Sequence, residues 1–507
     1  MFLAIVASVG CGSNNVAADP ITSVNPTANP LVAQYGISHY DSGLTAWVEF
    51  GTDTSYGRQT SDMSSGKTVG RKVVNILVAG MKAQTTYHMR AHVTWSGGSW
   101  VDQDQAFTTG ALPSLPSSYP AGSVEFPAIS VQTPTPGLSP SPGVELLSLT
   151  SAAQSLAVDL QGNIIWFCQG NAEPIKPMQN GHFIIVRGTD IQEVDLACNV
   201  VRNVTYPQIN QSLQANGYDF QIPAPLGLNG GNPFHHDVLV LPNGHWIALS
   251  QIAKSFTDLP GYPGTTQVAG DALVDIDPSG TVAWAWSSFD HLDVNRHPYF
   301  GLPDWTHSNA LVYTPEGNLL LSMRNQSWVL KIDYANGTGS GNILWKVGED
   351  GDFTLFGEDP SQWFYAQHYP NILSADGSQT MLAVYDDGNA RVAADGSSCP
   401  PAPPAPTCYS RATIFQIDES TNFATLEWQY LPGFFSFWGG SVNLLDNNDI
   451  EFDSSSPSNY VGSTIMEVTQ TGSPQIVWQM NIAGAGGVGA YRGYRIPSLY
   501  PGVTWKQ

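Results

Sequence analysis

Val158-Asp-Leu-Gln-Gly-Asn-Ile-Ile-Trp166 sets a pattern that the chain repeats: an apolar strand ends at Asp, a polar turn follows, and a second strand closes on Trp. It returns as Val194-Asp-Leu-Ala-Cys-Asn-Val-Val-Arg202 and as Ile276-Asp-Pro-Ser-Gly-Thr-Val-Ala-Trp284. Looser copies run from Ile332 to Trp345, from Ile417 to Trp428 and from Val468 to Trp478, so five of six copies end in Trp. A second motif interleaves with the first, a strand, a Gly turn and another apolar strand, as in Met178-Gln-Asn-Gly181, Leu241-Pro-Asn-Gly244 and Thr314-Pro-Glu-Gly317. Ser374-Ala-Asp-Gly377 and the stretch from Leu444 to Asp449 are weaker versions. Two hairpins per repeat make a four-stranded blade, and six blades predict an all-β, six-bladed β-propeller over residues 144–507. No helical periodicity is read anywhere in that region.

Upstream, residues 20–110 alternate apolar and polar positions, as in Ala46-Trp-Val-Glu-Phe50, and turn at Gly51 and Gly57. The later run Thr86-Tyr-His-Met-Arg-Ala-His-Val93 and the closing Phe107-Thr-Thr-Gly110 resemble a fibronectin type III domain, which implies a small immunoglobulin-like β-sandwich. Residues 111–143 are rich in Pro and Ser and read as an extended linker, part of which lies along the second domain. Residues 1–19 resemble the end of a lipoprotein leader: an apolar run reaches Gly10-Cys11 and a small polar tether follows. Export is expected, with Cys11 as a candidate lipidation site and membrane tether; a frayed apolar terminus is the plain alternative.

Charged residues are only 12% of the 507, and the net charge of −23 is spread without blocks of one sign. Such a field excludes nucleic acid and anionic membrane surfaces as partners, and an anionic substrate then needs a local positive site. Apart from Cys11, four cysteines remain. An even number fits disulfides in an oxidising compartment, with buried free thiols as the alternative. Cys399 and Cys408 bracket a short Pro-rich loop and form the natural local pair, leaving Cys168 for Cys198.

Inner strands of a propeller line its channel, and three repeats place histidine at the start of one: Phe234-His235-His236-Asp237, Thr306-His307-Ser308-Asn309 and Gln367-His368-Tyr369-Pro370-Asn371. His235 fits the register of the others better than His236. Each alone reads as a histidine bonding between strands; three equivalents point to a site. Three histidines also suit zinc, but arginines follow. Arg324 ends the inner hairpin of the His307 repeat and Arg391 follows Tyr385-Asp-Asp-Gly388 in the His368 repeat. Two guanidinium groups repel a cation and suit oxyanions, so no metal is expected. Tyr491-Arg492 is read as structural. Trp305, Phe364 and Tyr365 are read as platforms for an aromatic ring or as ordinary packing.

These motifs resemble the bacterial arylsulfate sulfotransferase family over about residues 145–500. They are His-His-Asp before Leu-Pro-Asn-Gly, Asp-Trp-Thr-His-Ser-Asn before Ser-Met-Arg-Asn-Gln-Ser, and Gln-His before Tyr-Asp-Asp-Gly-Asn-Ala-Arg. The resemblance implies transfer of a sulfuryl group from an aryl sulfate donor to a phenolic acceptor without a cofactor. His368 would become sulfated, while His307, Arg324 and His235 bind the sulfuryl oxygens. His236, Asn309 and Arg391 are the further substrate-binding candidates. The rival expectations are a hydrolase or lyase acting on another anionic ester, and a non-catalytic cell-surface propeller.

Overall fold

The computed structural model describes residues 19–505 except 41–42, 66–71, 115–125, 151–153, 171–173, 225–231, 298, 358–362, 393–397, 400–407, 458–461 and 484–488. Cys11 and the leader-like segment lie outside the described residues.

The Asp of the repeat is explained by its turn. In blade one Asp159 Oδ1 accepts the backbone N–H groups of Gln161 (3.1 Å) and Asn163 (2.8 Å). In blade two Asp195 accepts Ala197 and Asn199 (2.8 and 2.9 Å), and in blade three Asp277 accepts Ser279 and Thr281 (2.8 and 2.9 Å). A carboxylate taking two turn amides satisfies donors that the hairpin leaves unpaired. In three of its five copies the Trp of the repeat ties one blade to the next. Trp166 Nε1 donates to Leu196 O (2.7 Å), Trp284 Nε1 to Gly339 O (3.4 Å), and Trp478 Nε1, from the last blade, to Leu160 O in the first (3.0 Å). Where the second copy carries Arg202, the guanidinium lies 3.7 Å over the Trp246 ring and donates to Asp277 O. A long cationic side chain there spans the same gap between blades.

Six sheets follow, each built on four antiparallel strands, and in the fifth Thr354–Phe356 adds an outer strand in parallel. The innermost strands include Ile175–Pro177, Phe234–Val240, Ser308–Tyr313, His368–Asp376 and Ser441–Leu444. The C-terminal strand Gly489–Ile496 pairs with Val144–Thr150 and so completes the first blade from the far end of the chain. The all-β propeller expected from the repeats is the fold. Blade one carries the Cys168–Cys198 disulfide to the turn of blade two, as elimination predicts, and Cys399 pairs with Cys408, as the spacing predicts. No helix among the described residues is long and apolar enough to cross a membrane.

Two details depart from the sequence reading. Residues Tyr206–Ala215 form a helix between blades two and three, with Pro at its start and only Ile209 and Leu213 buried. Two apolar residues one turn apart in ten are too few to raise a periodic signal, although Pro207 is a helix-start residue. Within the expected linker, Ala128–Gln132 is a strand that pairs with Ile476–Ala483 and widens blade six to five strands.

At the N-terminus, the sheet of Ile21–Pro26, Ala33–His39 and Lys72–Val78 shares a core with the sheet built on Thr45–Gly51 and Thr86–Trp95. Its fibronectin type III resemblance rests on the sequence pattern. The end of the chain clamps this unit to the propeller: Tyr500 OH donates to Leu77 O (2.8 Å) and accepts from Ala79 N (2.7 Å), and Trp505 Nε1 donates to Gln59 O (2.9 Å).

Candidate active site

Three inner strands begin irregularly, and the irregularity aims the histidines. Pairing registers shift between Phe234 and Val238, between Ser308 and Ala310, and between His368 and Asn371. Left-handed backbone accompanies each shift, at His236 (φ 57°), His307 (φ 45°) and Tyr369 (φ 46°). Such conformations are costly for non-glycine residues and concentrate where a side chain must be redirected.

His236, rather than His235, stands ring to ring with the other channel groups, its centroid 5.0 Å from His307 and 5.4 Å from Tyr491. His235 lies behind it, with Nδ1 2.8 Å from His236 Nδ1 and Nε2 3.2 Å from Asp271. Burial pushes the Asp271 carboxyl up, but the nearby His235 imidazole and hydrogen bonds from the Thr306 hydroxyl and the Ser308 backbone N–H outweigh it and hold the group ionised. Burial pushes the His236 imidazole well below its usual value, and His235 and His307 add to the shift. The sequence register favoured His235; the bulge in this strand is longer than in the other two and moves its neighbour to the front. His307, half-buried at the mouth, sets its Nδ1 2.6 Å from Asp304.

His368 is 2% exposed. Its Nδ1 lies 2.5 Å from Asp387 Oδ2, and its Nε2 accepts the backbone N–H of Gly439 at 3.3 Å. A nitrogen that accepts is unprotonated, so the proton sits on Nδ1 and is donated to Asp387. Burial, then Arg324 and His307, push the imidazole well below its ordinary value and keep it neutral. Burial pushes the Asp387 carboxyl well above its ordinary value, and the Arg324 charge offsets only part of that rise. Arg324, 9% exposed, donates through Nη2 to Phe437 O (3.0 Å) and through Nη1 to Asn325 Oδ1 (3.2 Å). Its Nε is buried without a hydrogen-bond partner among the described residues, and the guanidinium lies 4.7 Å over the Phe300 ring.

The other candidates fare differently. Asn309 is at the site, but its Nδ2 is used on Gln367 O (2.7 Å), so it joins two blades. Arg391 is not placed as the expected clamp. It pairs with Asp386 at 2.6 Å beside Arg411, which shares that carboxylate at 2.7 Å, and stacks 4.1 Å from Tyr409. A guanidinium that neutralises a fully buried aspartate is holding the blade together. Trp305, Phe364 and Tyr365 are at most 1% exposed and belong to the packing; Trp305 stacks on Phe289 at 5.3 Å. The Phe300 ring beside Arg324 is half-buried, and Phe437, whose carbonyl accepts from Arg324, and its neighbour Trp438 reach solvent.

The sequence reading took Tyr491 and Arg492 as structural and passed over Asp271 and Asp304. Tyr491 lies 6.0 Å from His368 as well as beside His236, and its hydroxyl donates to Asn309 O (3.2 Å). Arg492, fully buried, donates to the same carbonyl (3.0 Å) and faces Asp237 at 3.4 Å. Both come from the strand Gly489–Ile496, whose Tyr-Arg-Gly-Tyr-Arg run carries no histidine to mark it as part of the channel cluster. Asp387, Asp271 and Asp304 sit behind the three imidazoles. Of these, Asp387 was visible in the Tyr-Asp-Asp-Gly motif. Among the described residues no group of three His, Cys, Asp or Glu side chains is arranged to hold a metal ion.

Solved structures similar to this chain include a protein of unknown function from Bacteroides caccae (11% identity, TM-score 0.39, covering 70% of this chain and 98% of that one). Virginiamycin B lyase from Staphylococcus aureus matches with 9% identity and a TM-score of 0.29, over 70% of this chain and 99% of that one. The Synechocystis apocarotenoid oxygenase matches with 10% identity and a TM-score of 0.28, over 90% and 81%. No curated protein matches the chain. The family model of the arylsulfotransferases (ASST) matches residues 129–492, and the chain belongs to that family.

Proposed function

We propose that the chain moves a sulfuryl group from an aryl sulfate to a phenolic acceptor in two steps, with His368 carrying the group between them. The observation that carries this reading is the state of His368: neutral, its Nδ1–H donated to Asp387, its Nε2 unprotonated with a lone pair engaged only by a long bond from the Gly439 N–H, which gives way when that lone pair attacks sulfur, and the Arg324 charge close by. Family membership supports aryl sulfotransfer in general.

In the first step Nε2 forms a bond to sulfur as the bond from sulfur to the aryl oxygen breaks, and the phenolate leaves. His307, accessible at the mouth and oriented by Asp304, protonates it. In the second step the acceptor phenol gives its proton to the same histidine. Its oxygen bonds to sulfur, and the sulfur–nitrogen bond breaks to restore His368. Sulfuryl transfer resembles phosphoryl transfer in spreading charge over the non-bridging oxygens, so the fixed donors of Arg324, together with His236, do most where the bond is half broken. Phe300, Phe437 and Trp438 offer the aryl ring a surface at the mouth. The two disulfides fit an exported protein, and lipidation at Cys11 would tether it.

The reading is tested with 4-nitrophenyl sulfate. Nitrophenol release should depend on added phenol, and protein quenched after donor alone should carry one sulfuryl group on the His368 peptide. Release without acceptor and without a modified peptide would sink it in favour of hydrolysis.

A pH profile tests the burial of His368 separately. Its folded-state value lies below the ordinary imidazole value of about 6.5, so the reactive neutral form persists as pH falls through that value. The acid limb of kcat/KM is therefore expected clearly below pH ~6.5. A limb at or above it would mean that burial does not govern this nitrogen.

A further inference from the structure

The blades' Gly turns lie at the end opposite the histidines, and there the N-terminal sheets lean over blade two. Between them runs a crevice of about 850 Å³. Trp47, Gln59, Ser61 and Asp62 line it from the N-terminal side, and Gln179 and Asn180 from the Gly turn of blade two. It shares Gln179, Pro501, Gly502 and Val503 with a second cavity of about 420 Å³, so the two form one elongated trough along the C-terminal segment.

We propose that this trough binds a neutral oligosaccharide. The inference does not rest on sulfuryl transfer at the histidines, since the two sites share no residue. Four observations converge on the ligand class. First, the Trp47 indole is held rigidly by a parallel stack on His92, 4.0 Å away at an interplanar angle of 0°, and also lines the crevice. A fixed indole suits the apolar C–H face of a sugar ring, whose weakly positive hydrogens meet the negative face of the aromatic system.

Second, the groups around it are those that hydrogen-bond hydroxyls: side-chain amides, a serine and one carboxylate. The Gln59 and Gln179 amides are both exposed and available to a ligand. Third, neither cavity is lined by Lys or Arg, and their titratable side chains are Asp62, the buried Tyr500 and His182, whose Nδ1 lies 2.6 Å from Glu193. In a chain of net charge −23 this disfavours anions, including an aryl sulfate. Fourth, the walls are joined by the Tyr500 and Trp505 hydrogen bonds and by Arg58 5.0 Å over the Trp505 ring, so little ordering remains to oppose binding. The main lobe is within the range of roughly 300–1,000 Å³ found for ligand sites, and the second lobe extends it lengthwise, as a chain of sugar rings requires.

The test is isothermal titration of the full-length protein with cellohexaose, maltohexaose and N-acetylchitohexaose, against an oligogalacturonate as the anionic comparator and an unstructured neutral decapeptide. At least one neutral hexasaccharide should bind with Kd of roughly 1 mM or tighter. Trp47→Ala and, on the opposite wall, Gln179→Ala should each weaken it at least about tenfold, equivalent to ~1.4 kcal/mol. Turnover of 4-nitrophenyl sulfate should be unchanged in both variants, and unchanged melting temperature shows that they fold. Failure of all three sugars to bind overturns the proposal. So does equal binding by the oligogalacturonate, binding by the decapeptide alone, or sugar binding indifferent to both substitutions.

Discussion

His368→Ala is expected to lower the turnover of 4-nitrophenyl sulfate by at least ~10⁴-fold and to abolish the sulfuryl-modified peptide, because loss of a covalent nucleophile leaves only the binding and charge stabilisation of the remaining site. The substitution also leaves Asp387, which is fully buried, without the Nδ1–H it accepts. A melting curve should accompany the kinetics, so that loss of fold is not read as loss of chemistry. Asp387→Asn separates the roles further. Asn keeps the volume but not the charge that favours the developing imidazolium, so kcat should fall while KM for the donor stays near its original value. A His368→Ala protein that retained more than about a hundredth of wild-type turnover would remove this residue from the centre of the mechanism.

The second large effect is expected at Arg324. Its guanidinium is anchored through Nη1 and Nη2 to Asn325 and Phe437, while Nε is buried without a hydrogen-bond partner among the described residues. A donor held this way costs no reorganisation when charge develops on an oxygen, and deletion of such a donor in other enzymes costs ~10²–10³-fold in kcat. Arg324→Ala should show at least that loss. Arg324→Lys keeps the charge but cannot hold two anchors while presenting a third N–H, so it should recover only a small part of the rate. If Lys restored full activity, the residue would be acting as a simple point charge. If Ala raised KM alone, its role would be uniform binding.

The propeller was legible because its signals are local and repeated. A carboxylate that closes a turn and a Trp that reaches the next blade recur at the same step in several repeats, as Asp159 and Trp166 do, so they show as a period. The Cys399–Cys408 disulfide was legible from proximity along the chain, and Cys168–Cys198 followed by elimination. The short helix Tyr206–Ala215 was not legible, because its stability comes from two buried side chains docking on blades rather than from its own pattern.

At the site, sequence by itself determined that histidines recur at the starts of inner strands and that Arg324 stands near one of them. It did not determine which atoms meet. The choice of His236 over His235 depends on how many residues a bulge absorbs, and that is decided by pairing with the neighbouring strand. Arg391 and Arg324 look alike as cations in an acidic chain. Only the fold shows one spent on Asp386 and the other beside His368. Tyr491 and Arg492 reach the cluster because the last strand returns to the first blade, a contact across more than three hundred residues. Recurrence is written along the chain, but convergence on the channel is a property of closure, which brings together side chains that no local pattern links.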